Sequence, residues 1–133
     1  MIPVFSRKFN NLDKKYLNQC LKNNWISSNG PFSQKLSTKI KFLFNSGFVS
    51  FVSSGTAAIE CALSAINLKK GDEVIIPSFT IVSCLNTVLR LGAKPVMVDV
   101  NKETWLTNEE DIIKKINKKT KAILVVHSFG NCV

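Results

Sequence analysis

The chain has 133 residues, 45% hydrophobic, 20% charged and 9% aromatic, a balance that suits one soluble globular domain and leaves no room for two. No stretch approaches the roughly 18 consecutive apolar residues of a membrane span, and residues 1–9 lack the apolar run of a signal peptide, so a cytoplasmic protein with no membrane partner is expected. The net charge is +9, from 18 basic and 9 acidic residues. Only Arg7 and Arg90 are arginines, and a nucleic-acid reader leans on arginine forks. The scattered lysines therefore read as a solvated surface that attracts anionic small molecules, with no nucleic-acid partner.

Two amphipathic segments open the chain. Leu12, Tyr16, Cys20 and Leu21 fall on one helical stripe, and Phe32, Leu36, Ile40 and Leu43 on another. Between them Trp25-Ile26-Ser27-Ser28-Asn29-Gly30-Pro31-Phe32 is rich in turn formers. From Gly47 the pattern alternates between short apolar runs and helical periodicity. Gly47 to Ser53 reads as a strand, and Thr56 to Leu68 as a helix apolar almost all round, hence buried. Glu73 to Ile76, closed by Pro77, reads as a strand. Thr80 to Leu91 reads as a helix that Gly92 caps.

Lys94 to Val100 reads as a third strand. Thr107 with Glu110 has the spacing of a capping box at the head of a helix that places acidic residues first and lysines last. Lys121 to His127 reads as a fourth strand. Strands alternating with helices of this length imply β-α-β units, an α/β fold with an open, mainly parallel sheet and helices on its faces. Such a sheet binds ligands at its carboxyl edge.

Three strand ends at that edge carry polar chemistry. At Ser53-Ser54-Gly55-Thr56-Ala57-Ala58 a strand runs through small residues into a helix, where unpaired N–H groups and a partial positive charge suit an anion on Gly55 and Thr56. An ordinary Ser cap without a ligand reads equally well. The stretch is neither a G-x-G-x-x-G fingerprint nor a Walker motif, which argues against nucleotide phosphates. Pro77-Ser78-Phe79-Thr80-Ile81-Val82-Ser83-Cys84 is a second strand-to-helix junction. His127, the one histidine, ends the fourth strand, where a lone histidine reads first as a packing or hydrogen-bonding group. The four cysteines are widely spaced without a C-x-x-C pair, so neither a disulfide framework nor a metal site is expected.

The strings WISSNGPF, VSSGTAAIECAL, GDEVIIPSFT, AKPVMVDVNKETW and KAILVVHSFGN, in this order over nearly the whole chain, resemble the N-terminal part of the pyridoxal-phosphate-dependent sugar aminotransferases, the DegT/DnrJ/EryC1/StrS family. The resemblance implies the aspartate aminotransferase-like fold type I, with residues 1–46 an N-terminal helical segment and 47–133 the first part of the large cofactor-binding domain. It implies pyridoxal 5'-phosphate as cofactor, its phosphate held by the backbone amides of Gly55, Thr56 and Ala57. Family members place an aromatic residue on the pyridine ring where this chain has Ile81, which covers a ring face by apolar contact without π-stacking. Ser28, Asn29 and Gly30 match the stretch near the active-site mouth, and His127 matches the histidine of the family's H-x-x-G turn.

The activity implied is transfer of an amino group from an amino acid such as glutamate to a nucleotide-linked keto-sugar, by an enzyme that forms a homodimer. The family's Schiff-base lysine and the aspartate that pairs with the pyridine nitrogen belong to segments later than Val133, so no catalytic residue is assigned here. The chain reads as the front portion of such an enzyme. Alone it is expected to give no turnover with pyridoxal phosphate, an amino donor and a nucleotide-linked keto-sugar, and turnover needing only these 133 residues would overturn that expectation. The alternative is a non-catalytic fragment that docks with a separately encoded C-terminal half or an intact homologue.

Overall fold

The computed structural model describes Ser6 and residues 8–133. The N-terminal leader reading falls largely on residues 1–5 and 7, which lie outside the described set. The chain forms two compact units, one up to Phe51 and one from Val52 to Val133.

The first unit carries α1 (Asn11–Lys22) and α2 (Pro31–Phe44). Asn10 starts α1 with a reciprocal cap: its Oδ1 accepts from the N–H groups of Leu12 and Asp13 at 2.8 and 2.9 Å, and Asp13 Oδ2 accepts from the Asn10 N–H at 2.8 Å. Pro31 supplies the preset φ at the start of α2. The two stripes meet where Tyr16 sets its ring edge-on to Phe32, centroids 5.3 Å apart. Neither helix buries a residue, because two short helices cover only a narrow seam of each other, and Leu12, Leu21, Leu36 and Leu43 stay exposed.

The second unit holds α3 (Gly55–Ala65), β1 (Glu73–Pro77), α4 (Val82–Arg90), β2 (Lys94–Val98), α5 (Glu109–Lys115) and β3 (Thr120–Ile123), then a 3-10 turn at Ser128–Gly130. All pairings are parallel and the order is β2-β1-β3, with Ile75 opposite Val96 on one side and Ile123 on the other. Every residue of β1 is buried, as a central strand covered on both faces requires. Val74 and Ile76 point to one face and pack with Leu63 of α3 and Val88 of α4. Ile75 points to the other and packs with Val98 and with Ile112 of α5. Helices thus lie on opposite faces, the arrangement that right-handed crossovers in opposite directions produce.

Gly92 closes α4 as expected. At φ +78 it lets its own N–H reach Leu89 O at 3.0 Å and the Ala93 N–H reach Val88 O at 3.2 Å, a Schellman ending.

Other elements depart from the pattern-based reading. Residues 47–53 form no strand: strand β1 already uses both its edges, on β2 and β3, and an apolar run without a neighbour has no ladder. The described sheet therefore has three strands, not four. α3 ends at Ala65 and is not buried; Leu63 alone is, since a single layer of sheet and helix covers one side and leaves Ala58, Cys61, Ala62 and Ala65 open. α4 begins at Val82 with Ile81 as its cap, later than Thr80. Strand β2 ends at Val98 and β3 at Ile123, which leaves His127 on a loop. The Thr107 capping box does not form: Asn108 is the N-cap, with no side-chain bond to the helix backbone, and the Thr107 hydroxyl is buried without a partner. No helix among the described residues is long and apolar enough to cross a membrane.

At the amino edge Glu73 ties all three strands. Its Oε2 accepts from Asn117 Nδ2 at 2.8 Å, just before β3, and its Oε1 from Lys94 Nζ of β2 at 3.3 Å. The Asn117 hydrogen bond, followed by the Lys94 contacts, holds the Glu73 carboxyl below its ordinary value against the opposing effect of burial. A depressed folded-state pKa contributes stability above the unfolded value, and that contribution disappears as pH falls through the folded one. Glu73→Gln should therefore lower the melting temperature at neutral pH, with the gap to the parent closing as pH falls below the ordinary carboxylate range. A gap independent of pH would show that the charge contributes nothing.

Candidate functional site

Parallel strands end on one side, and the chain leaves β1 in one direction to reach β2 and returns past it to β3. The crevice between the carboxyl ends of β1 and β3 is a topological switch point, the usual ligand position in open sheets. A cleft of about 540 Å3 lies there, within the range of small-molecule sites. Gly55, Thr56 and Ile59 of α3 form one side. Thr80, Ile81, Ser83 and Cys84, following β1, form the second, and Leu124 to His127, following β3, form the third.

The helix terminus opens into this cleft for a local reason. Ser54 caps α3 through its Oγ, which accepts from the Ala57 N–H at 3.2 Å, while the Ser54 carbonyl accepts from the Ala58 N–H at 3.0 Å. The N–H groups of Gly55 and Thr56, in the first turn, have no intrahelical acceptor. Nothing stands within 4 Å of where a Cβ on Gly55 would be, so a ligand can approach that backbone. Thr56 Oγ1 lies 2.9 Å from Ser83 Oγ, and whichever hydroxyl donates, the other retains its proton for a third partner. Thr80 Oγ1 donates to the buried Cys84 Sγ at 3.3 Å. No carboxylate lines the cleft. Two amides, a hydroxyl pair and a helix N-terminus form a donor set suited to a phosphate dianion.

The remaining residues place as follows. Ile81, 70% exposed, presents an apolar side chain to the cleft. His127 Nδ1 accepts from the Val133 N–H at 3.1 Å, which leaves the ring proton on Nε2. The structure thus gathers Gly55, Thr56, Ile81 and His127. Ala57 lies outside the cleft lining, its N–H engaged by Ser54. Ser28, Asn29 and Gly30 belong to the first unit, in the turn before α2, where Ser33 Oγ donates to Ser28 O at 2.6 Å and Gly30 is buried beside the Trp25 ring. Thr80, Ser83 and Cys84 belong to the second strand-to-helix junction, which the sequence places at this edge without assigning any of the three a role. Their signal was position: small polar side chains at the head of a helix that follows a parallel strand.

Compared with known proteins, residues 8–133 match the DegT/DnrJ/EryC1/StrS aminotransferase family. The chain belongs to that family. The GDP-perosamine synthase of Vibrio cholerae is 39% identical over 130 residues, 98% of this chain and 35% of that protein. Among solved structures, an aminotransferase from Psychrobacter cryohalolentis superposes with a TM-score of 0.79 at 27% identity, covering 94% of this chain and 32% of the other. The GDP-4-keto-6-deoxy-D-mannose-3-dehydratase of E. coli, with bound hydrated PLP, superposes with a TM-score of 0.83 at 26% identity, covering 94% and 33%. The chain spans about a third of the length of each relative. The α/β class expected for the family's N-terminal portion is the one observed.

The cap that shapes the cradle is open to a stability test. Ser54→Ala should cost about 1 kcal/mol, read from the midpoint of chemical denaturation. An unchanged midpoint would show that Ser54 does not shape this helix start.

Proposed function

We propose that this chain forms the N-terminal, cofactor-phosphate-binding portion of a pyridoxal-phosphate-dependent enzyme that moves an amino group from an amino acid such as glutamate to a nucleotide-linked keto-sugar. The observation that carries the reading is the cleft at the β1/β3 switch point. There the free amides of Gly55 and Thr56 open beside the Thr56–Ser83 hydroxyl pair with no carboxylate among them, in a member of an aminotransferase family. That family match supports the enzyme reading over a docking fragment. Residues 1–46 are the N-terminal helical segment and 47–133 the start of the large cofactor-binding domain.

Pyridoxal phosphate, when bound, supplies an electron sink for chemistry at the amino-bearing carbon. The chain's own groups do the holding. The Gly55 and Thr56 amides and the helix dipole take the phosphate. The Thr56–Ser83 pair adds one hydroxyl donor. Ala57, engaged by Ser54, acts by holding the turn in shape. Ile81 covers one ring face by apolar contact and excludes water from it. His127 presents its Nε2–H at the opposite wall, as a donor to cofactor or substrate. For Ser28, Asn29 and Gly30 a role near substrate rests on the resemblance of their stretch to the family alone. The apolar outer face of α3 (Ala58, Cys61, Ala62, Ala65), exposed here, supports packing against further protein, a second copy in a homodimer or the rest of a longer chain. Water-soluble substrates of this kind support a cytoplasmic location.

Gly55→Asp tests the cradle. A carboxylate at the first helical position suits the helix dipole and meets open space, so the fold should persist. Pyridoxal phosphate affinity, followed by absorbance, should fall by about tenfold or more through like-charge repulsion, while binding of phosphate-free pyridoxal changes little. Unchanged pyridoxal phosphate binding in a folded Gly55→Asp protein would remove the phosphate from this site.

A further inference from the structure

Three aromatic rings stand at the carboxyl edge, each on the segment after a different strand. Phe79 follows β1, Trp105 follows β2 and Phe129 follows β3. Because β1 lies between the other two, these segments meet. The Phe79 centroid is 4.7 Å from that of Trp105, edge-on at 61°, and 6.2 Å from that of Phe129 at 35°. All three rings remain open to solvent, with 38, 47 and 82% of Phe79, Trp105 and Phe129 exposed.

Two of them are held in a backbone conformation that bulky residues avoid, Trp105 at φ +61 and Phe129 at φ +54. The surrounding hydrogen bonds determine it. Asn101 Oδ1 accepts from the N–H groups of Glu103 and Thr104 at 2.8 and 3.1 Å. Trp105 N–H reaches Asn101 O and Asn101 N–H reaches Leu106 O, both at 2.9 Å. Around Phe129, Ser128 is buried and its carbonyl accepts from the Asn131 N–H at 3.0 Å. Strain that tucks a ring into a core is offset by burial. Here Phe129 is presented outward and Trp105 is about half exposed, so burial offsets the strain only in part, the pattern seen where strain serves a ligand.

We propose that Phe79, Trp105 and Phe129 form a stacking platform for the base of a nucleoside diphosphate, the nucleotide end of the substrate. This rests on the substrate class proposed above. The platform borders the cleft through the chain itself: Phe79 precedes the lining residue Thr80, and Phe129 lies two residues beyond the lining residue His127. A base stacked there is tethered through its diphosphate to a sugar at the cleft mouth. Aromatic faces accept any base, so the platform contributes affinity and leaves the choice of base to other contacts.

Trp105 reports directly once Trp25, the other of the two tryptophans, is replaced by Trp25→Phe. GDP, titrated as the probe, should change Trp105 emission saturably, and pyrophosphate, which lacks a base, should not. Phe129→Ala, at an exposed position that leaves the fold intact, should weaken GDP binding by about tenfold, and Phe129→Tyr should retain it. If equilibrium dialysis shows GDP bound equally by the parent, Phe129→Ala and Trp105→Ala, with no emission change, the base lies elsewhere and the platform fails while the nucleotide reading stands. If no GDP binds at all, the nucleotide-linked substrate and the platform fall together, and the phosphate cradle at Gly55 is judged separately by its own substitution.

Discussion

The burial of one strand governs the rest of the second unit. Val74, Ile75 and Ile76 are at most 1% exposed, and three successive apolar side chains can be hidden only if both faces of the sheet are covered. Helices α3 and α4 cover one face and α5 the other. Parallel pairing on both sides of β1 then sends every strand's outgoing chain to the same edge. Cleft-lining residues from sequence positions as distant as Gly55 and His127 meet because of a packing constraint, not through local chemistry.

The two edges of this sheet do different work. At the amino edge Glu73 joins β2 and the approach to β3 to the central strand through Lys94 and Asn117. At the carboxyl edge Ser78 Oγ donates to Asp99 Oδ1 at 3.1 Å, joining the segments that follow β1 and β2. Ser78 N–H reaches Val98 O at 2.7 Å and Leu124 N–H reaches Ile75 O at 2.8 Å, after which the segments diverge and the cleft opens. The unpaired donors at this edge belong to the first turn of α3, whose N–H groups have no intrahelical acceptor, and not to the sheet.

The matched region is shared by enzymes whose names carry different reactions, an aminotransferase and a dehydratase. What this region has in common with both is its fold, at TM-scores of 0.79 and 0.83. The cleft lining contains hydroxyls, amides, apolar walls and one imidazole but no carboxylate or lysine, a composition suited to holding a ligand. The positive-φ backbone at Trp105 and Phe129 belongs to the same edge and departs from local preference there, where departures are expected if the edge serves a ligand.

Much of this was legible in the sequence by itself. The alternation of apolar runs and helical periods determined the α/β class. Gly92 determined the end of α4, because only the left-handed conformation it adopts completes that ending, and the small residues at Ser54 to Thr56 marked the open helix terminus. The tertiary structure alone decided the rest. Residues 47–53 have a strand's composition, but a strand exists only with a neighbour. Thr107 has a cap's spacing, but packing buried its hydroxyl and passed the cap position to Asn108. Strand order β2-β1-β3, on which the position of the cleft depends, leaves no local trace, since it follows from which faces need covering. The meeting of Thr56 with Ser83, 27 residues apart, and of Phe79 with Trp105 and Phe129 follows from that order, because contacts across parallel strands are set by the sheet and not by the chain between them.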